Sequence, residues 1–202
     1  METKKIFLAS SSQLSDDRLQ FEIFINRKNK EWVSKGVFLE LLIWEDFLDA
    51  LSQTRKQDEY NQAIQNCDIF VMLFYTKVGK YTAEEFDTAF KRFKATGRPL
   101  IFTYFKDAGD TGISAAGANK QDLESLRAFQ KKLDSLGHFY TRYKNSEGLR
   151  EHFGSQLNKL AEKGFIAIDA AESPGAGKDQ AVISQEAEKI YNIGHIDKAD
   201  FQ

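Results

Sequence analysis

The sequence contains little that would cross-link the chain, anchor it or steer it by charge. Its 202 residues include one cysteine, Cys67, which excludes an internal disulfide and a structural zinc site built on cysteines. The 28 basic and 30 acidic residues leave a formal net charge of -2, so no overall positive field draws the chain to nucleic acid or anionic lipid. Apolar runs reach only about half the length of a membrane-spanning helix. These absences predict a cytoplasmic protein with no membrane partner and no direct nucleic-acid partner.

Metal ligands and disorder-promoting residues are also sparse. His138, His152 and His195 are scattered without metal-ligand spacing, so the sequence predicts no metal site. Cys67 precedes a strand-like run, on the side away from the expected ligand edge, and is therefore interpreted as a packing residue. Only 2 prolines stand against 17 phenylalanines and 7 tyrosines, a composition that argues against disorder over most of the chain.

Short β-branched and aromatic runs alternate with longer segments of helical period. This alternation is typical of parallel strands joined by crossover helices. The predicted strands are Lys5–Ala9, Val37–Trp44, Asp68–Tyr75, Leu100–Phe105 and Phe139–Tyr143. The third is almost wholly apolar, which indicates a central strand covered on both faces. The prediction is an α/β fold with a flavodoxin-like, doubly wound, five-stranded parallel sheet.

The composition changes near the C-terminus. We expect one domain over residues 1–165, a linker over 166–182 that is rich in Ala, Gly, Ser and charge, and a tail over 183–202. The tail is too short for a core of its own, so we expect it to dock on another surface. The Gly-rich and Asp-rich stretch 106–120 is predicted to be a long mobile loop.

In an open parallel sheet, ligands bind beyond the carboxyl ends of the strands. Of the segments there, Tyr81–Glu85 is the most suggestive, because an aromatic ring and a carboxylate four residues apart share one helical face. The ring can form one wall of a pocket into which the carboxylate points. The alternative interpretation is a capping box, with Thr82 as N-cap and Glu85 at the third helical position. Both interpretations can hold together.

Four segments together resemble a bacterial Toll/interleukin-1 receptor (TIR) domain over residues 4–164. Lys5–Ser11 is similar to the first strand of that family and its serine-containing loop, and Trp44–Asp46 to the end of its second strand, before the BB loop. Asn66–Leu73 is similar to the third strand. Tyr81–Glu85 matches the WxxxE-type motif of the family with Tyr in place of Trp.

The resemblance implies an NAD-consuming enzyme. In catalytic members the motif glutamate is essential for cleaving the nicotinamide–ribose bond, which gives nicotinamide with ADP-ribose or a cyclised isomer. Carried over, Glu85 is the catalytic residue; Glu84, beside it, is not excluded by spacing and is kept as a substrate-binding candidate. NAD is then the substrate, and no cofactor or metal is required.

Weaker assignments follow for the rest of the site. Ser10 and Ser11, with loop amides, are candidates to hold the diphosphate, although serines in such turns commonly act as caps. Trp44 and Tyr81 are candidates to stack a ring, and Asp46 to contact a ribose hydroxyl or to position the BB loop.

The resemblance also implies a setting, which is bacterial antiphage defence, with activation by self-assembly. Self-association would use the BB-loop region around residues 46–57, the tail, or both, and a sensor protein or domain is a further expected partner. Two alternatives stay open. One is a non-catalytic interaction module, and the other is a nucleoside deoxyribosyltransferase-like enzyme, which would cleave free nucleosides.

Overall fold

The computed structural model describes residues 1–43, 56–107 and 119–168. Within these ranges the strands are β1 (Glu2–Ser10), β2 (Val37–Leu42), β3 (Ile69–Phe74), β4 (Leu100–Lys106) and β5 (Tyr140–Tyr143). The helices are α1 (Ser15–Trp32), α2 (Lys56–Asn66), α3 (Lys80–Thr96), α4 (Lys120–Ser135) and α5 (Ser146–Glu162), with short 3-10 turns at Ser12–Leu14 and Val33–Lys35.

The strands form one parallel sheet in the order β2-β1-β3-β4-β5. The predicted flavodoxin-like, five-stranded sheet is therefore confirmed. The chain runs outward from β1 to β2 and then returns to β3 on the other side of β1, so strand order reverses between β1 and β3. That reversal opens a crevice at the carboxyl ends of these two strands, where ligands of such sheets bind.

Two apolar layers cover the sheet. β3 is buried along its whole length, as expected for a central strand. Its alternate side chains enter different cores, Val71 on the face covered by α1 and α5 and Met72 on the opposite face. The second face is covered by α2, α3 and α4 through residues such as Ile64, Phe86 and Phe129. Helices on both faces make this a doubly wound fold.

Element boundaries differ from the predictions at a few positions. The second strand ends at Leu42 rather than Trp44, and Trp44 itself lies outside the described residues. α3 begins at Lys80, with Gly79 as N-cap and no side-chain cap, so the capping box with Thr82 as N-cap is wrong.

The chain after α5 turns back along the amino ends of the strands. Ile166 is fully buried, and the Ala167 amide donates a hydrogen bond to the Glu2 carboxylate at 2.7 Å. Packing thus continues past residue 165. The linker from residue 169 onward, the tail and loop residues 108–118 lie outside the described residues, so their predicted roles stay predictions. None of the described helices is long and apolar enough to cross a bilayer.

Candidate functional site

The crevice between β1 and β3 is bordered by two connecting segments that are joined to each other. The first leads from β1 to α1, and the second leads from β3 to α3. The hydroxyl of Thr76, which is fully buried in the second segment, donates to Oε1 of Gln13 in the first at 2.7 Å. This bond links residues 63 positions apart and fixes the two walls of the crevice relative to each other.

A buried arginine holds the end of β1. Arg18, the fourth residue of α1, is only 5% exposed. Its Nη1 donates to Ser10 Oγ at 3.0 Å and to the Ser11 carbonyl oxygen at 2.8 Å. The same carbonyl accepts the Leu14 amide at 3.0 Å. The β1–α1 segment is therefore shaped by side-chain bonds as well as by its backbone turn.

A buried ion pair joins the first turn of α1 to the carboxyl end of β4. Asp17 is 3% exposed, and its carboxylate accepts a hydrogen bond from Lys106 Nζ, at the end of β4, at 2.7 Å. Lys106 also lies over the Tyr75 ring, with Nζ 5.6 Å from the ring centroid. Burial raises the pKa of the Tyr143 hydroxyl, and the nearby Asp17 charge raises it further. This part of the edge is thus crowded with desolvated polar groups.

Glu85 lies on the opposite face of the sheet, in the second turn of α3. Its side chain is buried, with 8% exposure, next to the fully buried Phe86 and one turn before the fully buried Ala89. α3 packs against β1 and β4, and its first turns lie at the carboxyl edge because the helix follows β3. Tyr81 shares the helical face predicted from spacing, but its side chain is 60% exposed. The ring therefore borders solvent while the carboxylate is enclosed.

Glu84 points elsewhere. Its Oε1 accepts a hydrogen bond from Asn61 Nδ2 on α2 at 2.9 Å, and its carbonyl oxygen accepts one from the Thr88 hydroxyl at 3.0 Å. The Thr88 hydroxyl is also 3.3 Å from Asn61 Oδ1. Glu84 is thus part of the contact between α2 and α3, which gives it a structural role that spacing alone did not reveal.

The structure places three of the predicted site residues near the carboxyl end of β1. Ser10 and Ser11 are held at the end of β1, and Glu85 lies on a helix that packs against that strand. Trp44 and Asp46 lie outside the described residues, as does most of the expected BB-loop region.

Sequence reasoning missed Arg18 and the Asp17–Lys106 pair. One signal was present. A basic residue in the first turn of a helix opposes the helix dipole, so the position of Arg18 indicated a compensating contact elsewhere. Lys106 was noted only as the start of a loop, and its partner lies 89 residues away.

Other reactive side chains in the described part are engaged in packing. Burial raises the pKa of the Cys67 thiol to about 12, and the Asp68 charge adds to the effect, in line with the packing role predicted for this residue. His138 bonds the Thr103 hydroxyl at 2.9 Å, and His152 bonds the Tyr104 hydroxyl at 3.0 Å. Among the described residues, no group of three or more His, Cys, Asp or Glu side chains could hold a metal ion.

The site combines two kinds of groups around the ends of β1 and β3. On one side is an enclosed carboxylate, Glu85, which suits a centre that develops positive charge. On the other side are the Ser10 and Ser11 hydroxyls beside a buried guanidinium, which suit oxygen acceptors such as phosphate. Such an arrangement fits a ligand that carries a cationic centre and an anionic group.

Fold and site define a doubly wound α/β protein with a polar crevice at its topological switch point. Residues 5–158 match the family described as Domain of unknown function (DUF4062), and the chain belongs to that family. No curated protein matches the sequence.

Solved structures resemble the chain at low sequence identity. A conserved protein from Enterococcus faecalis V583 is 14% identical, with a TM-score of 0.47, over 77% of this chain and 100% of that one. The Clostridium botulinum CMP N-glycosidase BcmB is 14% identical, with a TM-score of 0.44, over 76% of this chain and 100% of that one. An FMN-dependent NADH-azoreductase from Bacillus anthracis is 12% identical, with a TM-score of 0.42, over 80% and 100%. At these identities the likeness concerns the fold.

Proposed function

We propose that this chain cleaves the nicotinamide–ribose bond of NAD, as its resemblance to TIR domains implies, with Glu85 as the catalytic carboxylate. The observation that supports this most directly is the burial of Glu85 in the second turn of α3, at the carboxyl edge of the sheet. A carboxylate removed from water interacts more strongly with a developing positive charge than an exposed one. Glu84, its neighbour, is bonded to Asn61 on another helix.

The proposed reaction needs no metal and no cofactor beyond the substrate. The bond between ribose C1′ and the pyridinium nitrogen breaks, and its electron pair leaves with neutral nicotinamide. Glu85 stabilises the positive charge that develops on the ribose. Water then forms the new C1′–oxygen bond and releases a proton, which gives ADP-ribose; attack by an adenine nitrogen in place of water gives a cyclised isomer.

The remaining site residues are assigned binding roles in this proposal. Ser10 and Ser11 hold the diphosphate, and the exposed ring of Tyr81 stacks on a substrate ring at the open side of the crevice. Trp44 and Asp46 retain their proposed contacts with a ring and a ribose hydroxyl.

The biological setting is part of the same proposal. It is antiphage defence, with activity switched on when copies assemble through the region of residues 46–57 and the tail, or when a sensor partner binds.

The test is nicotinamide release from NAD by the full chain at high protein concentration with a crowding agent. We expect Glu85→Gln to lower turnover by at least about 100-fold, because it removes the charge and keeps the shape. Glu84→Gln is expected to retain turnover, since the amide oxygen still accepts from Asn61. Asp87→Asn, on the same helix and paired with Lys132, is the matched control.

The outcomes separate the alternatives. Loss of turnover in Glu84→Gln with retention in Glu85→Gln would make the residue assignment wrong. Release of base from thymidine or deoxyadenosine, with none from NAD, would replace the proposal by a nucleoside-cleaving enzyme, since an enclosed carboxylate suits any N-glycosidic bond. Wild-type protein inactive on all three substrates, alone and assembled, would favour a non-catalytic interaction module.

A further inference from the structure

We propose that Arg18 is a positioning residue that directs the Ser10 and Ser11 hydroxyls into the crevice as hydrogen-bond donors for the anionic part of the substrate. The inference rests on the proposed function for the identity of the substrate. Arg18 itself is assigned no contact with the ligand.

The position of Arg18 calls for an explanation. The residue is only 5% exposed, although it lies in the first turn of α1, where the helix dipole disfavours a positive charge. Burying a charge is costly unless it is bonded. The bonds that Arg18 makes to the end of β1, at 3.0 Å to Ser10 Oγ and 2.8 Å to the Ser11 carbonyl, offset that cost.

The direction of these bonds sets what the serines can offer. A guanidinium only donates hydrogen bonds, so Ser10 Oγ accepts from Arg18 and its own hydrogen is directed elsewhere. The Ser11 carbonyl accepts from both Arg18 and the Leu14 amide, so both of its lone pairs are used. The segment therefore presents a hydroxyl donor to the crevice and withholds this carbonyl from it.

Ser11 supplies an independent observation. Its Oγ is buried and, among the described residues, has no hydrogen-bond partner. A buried hydroxyl without a partner is unfavourable in the free protein, and each such group in a folded protein calls for a reason. A ligand oxygen in the crevice between β1 and β3 provides one.

The chemistry of the surroundings favours an anionic oxygen. Asp17, the neighbouring acid, is neutralised by Lys106 at 2.7 Å. The Gln13 carbonyl is occupied by the Thr76 hydroxyl. Two hydroxyl donors beside a buried guanidinium suit a diphosphate better than a neutral sugar or base.

The experiment measures binding by calorimetry, with ADP-ribose as the diphosphate probe and adenosine as the probe without phosphate. Arg18→Gln is expected to weaken ADP-ribose binding by at least about tenfold and to leave adenosine binding within about twofold. Arg18→Lys, which keeps the charge but not the planar fork, is expected to restore part of the loss. Arg127→Gln, an exposed arginine on α4, is the control and is expected to match the wild type.

A second variant keeps the test decisive if Arg18→Gln fails to fold. Ser11→Ala removes the unpaired hydroxyl, so we expect it to weaken ADP-ribose binding while leaving thermal stability equal or higher. If Ser11 had only a structural role, the variant would bind ADP-ribose like the wild type and would be less stable.

The outcomes of these experiments distinguish the positioning role of Arg18 from the proposed reaction. If NAD is cleaved but ADP-ribose affinity is unchanged in Arg18→Gln and Ser11→Ala, the positioning role is wrong and the proposed function stands. If NAD is not cleaved but ADP-ribose binds and depends on Arg18, the proposed reaction is wrong and the positioning role stands. Wild-type protein that does not bind ADP-ribose overturns the inference.

Discussion

The two ends of the sheet use polar side chains in different ways. At the amino edge, charges neutralise one another: the buried Lys4 pairs with Glu2 at 2.8 Å, and the exposed Arg98 pairs with Asp68 at 3.0 Å. Both cations also lie over the Phe165 ring. The two oxygens of Asp68 are both used, since the second accepts the Lys5 amide. These ion pairs and ring contacts hold the amino edge of the sheet against the segment that follows α5.

At the carboxyl edge, the buried polar groups are less completely paired. Arg18 and Asp17 are buried, and they link α1 to β1 and β4. Among the described residues, the Ser11 and Tyr143 hydroxyls have no hydrogen-bond partner that meets ordinary geometry. Native folds keep few such groups. The paired charges of the amino edge contribute to stability, whereas the unpaired hydroxyls of the carboxyl edge are what the proposed binding role requires.

The largest expected effect on stability follows from breaking the buried pair at the carboxyl edge. Lys106→Met leaves the Asp17 carboxylate, 3% exposed, without its counter-charge, so we expect the free energy of unfolding to fall by about 3 kcal/mol. Urea denaturation followed by fluorescence, with the buried Trp32 as one probe, measures the change. The double variant Asp17→Asn, Lys106→Met should recover part of the loss, because the uncompensated charge is gone. A loss no larger than at an exposed pair would remove the contrast between the edges.

The next-largest expected effect is a loss of stability at low pH. His138 precedes β5, bonds the Thr103 hydroxyl, and has its pKa lowered by burial from 6.5 to about 4. The unfolded chain therefore binds a proton that the folded chain does not between these two values. Stability should fall as pH decreases from about 6.5 to 4, by about 2–3 kcal/mol in all.

Two measurements check the pH prediction. The His138→Gln variant should show a flatter dependence of unfolding free energy on pH over this window. In the wild type, the NMR shifts of the His138 ring should remain those of neutral imidazole at pH 5.5. A ring that titrates near 6.5 would contradict the prediction.

The smallest effect is expected at the exposed pair of the amino edge. The Arg98 side chain is 53% exposed, so solvent screens its interaction with Asp68. Arg98→Met should lower the free energy of unfolding by less than about 1 kcal/mol. Repeating the urea titration in high salt should shrink the difference further. A loss as large as that of Lys106→Met would show that both edges are equally stability-critical.

Much of the fold could be predicted because its signals are local. The alternation of apolar strands with helical periods indicated the parallel sheet, and the all-apolar run around Val71 indicated its centre. Helix starts were harder. Thr82 looked like an N-cap because it is followed three residues later by Glu85, whereas α3 begins two residues earlier, after Gly79. Caps depend on backbone angles that a residue pattern specifies only weakly.

The elements that carry the described candidate residues were predictable, but the bonds of these residues were not. Spacing placed Glu84 and Glu85 in one helical turn, and it took the packing of α3 to bury Glu85 and to engage Glu84 with Asn61. The serines after β1 were identified as binding candidates from their position at a strand end. The one local signal, a basic residue in the first turn of α1, did not indicate that Arg18 would hold them.

By itself, the sequence determined the fold class and the order of the elements, because hydrophobic periodicity acts over a few neighbouring residues. Tertiary structure decided which charges are paired and which hydroxyls are left without a partner. Lys106 meets Asp17 from 89 residues away, and Thr76 meets Gln13 from 63 residues away. Such partners are set by the packing of whole helices on the sheet, and the strength of each pair depends on burial, which exists only once the chain has folded.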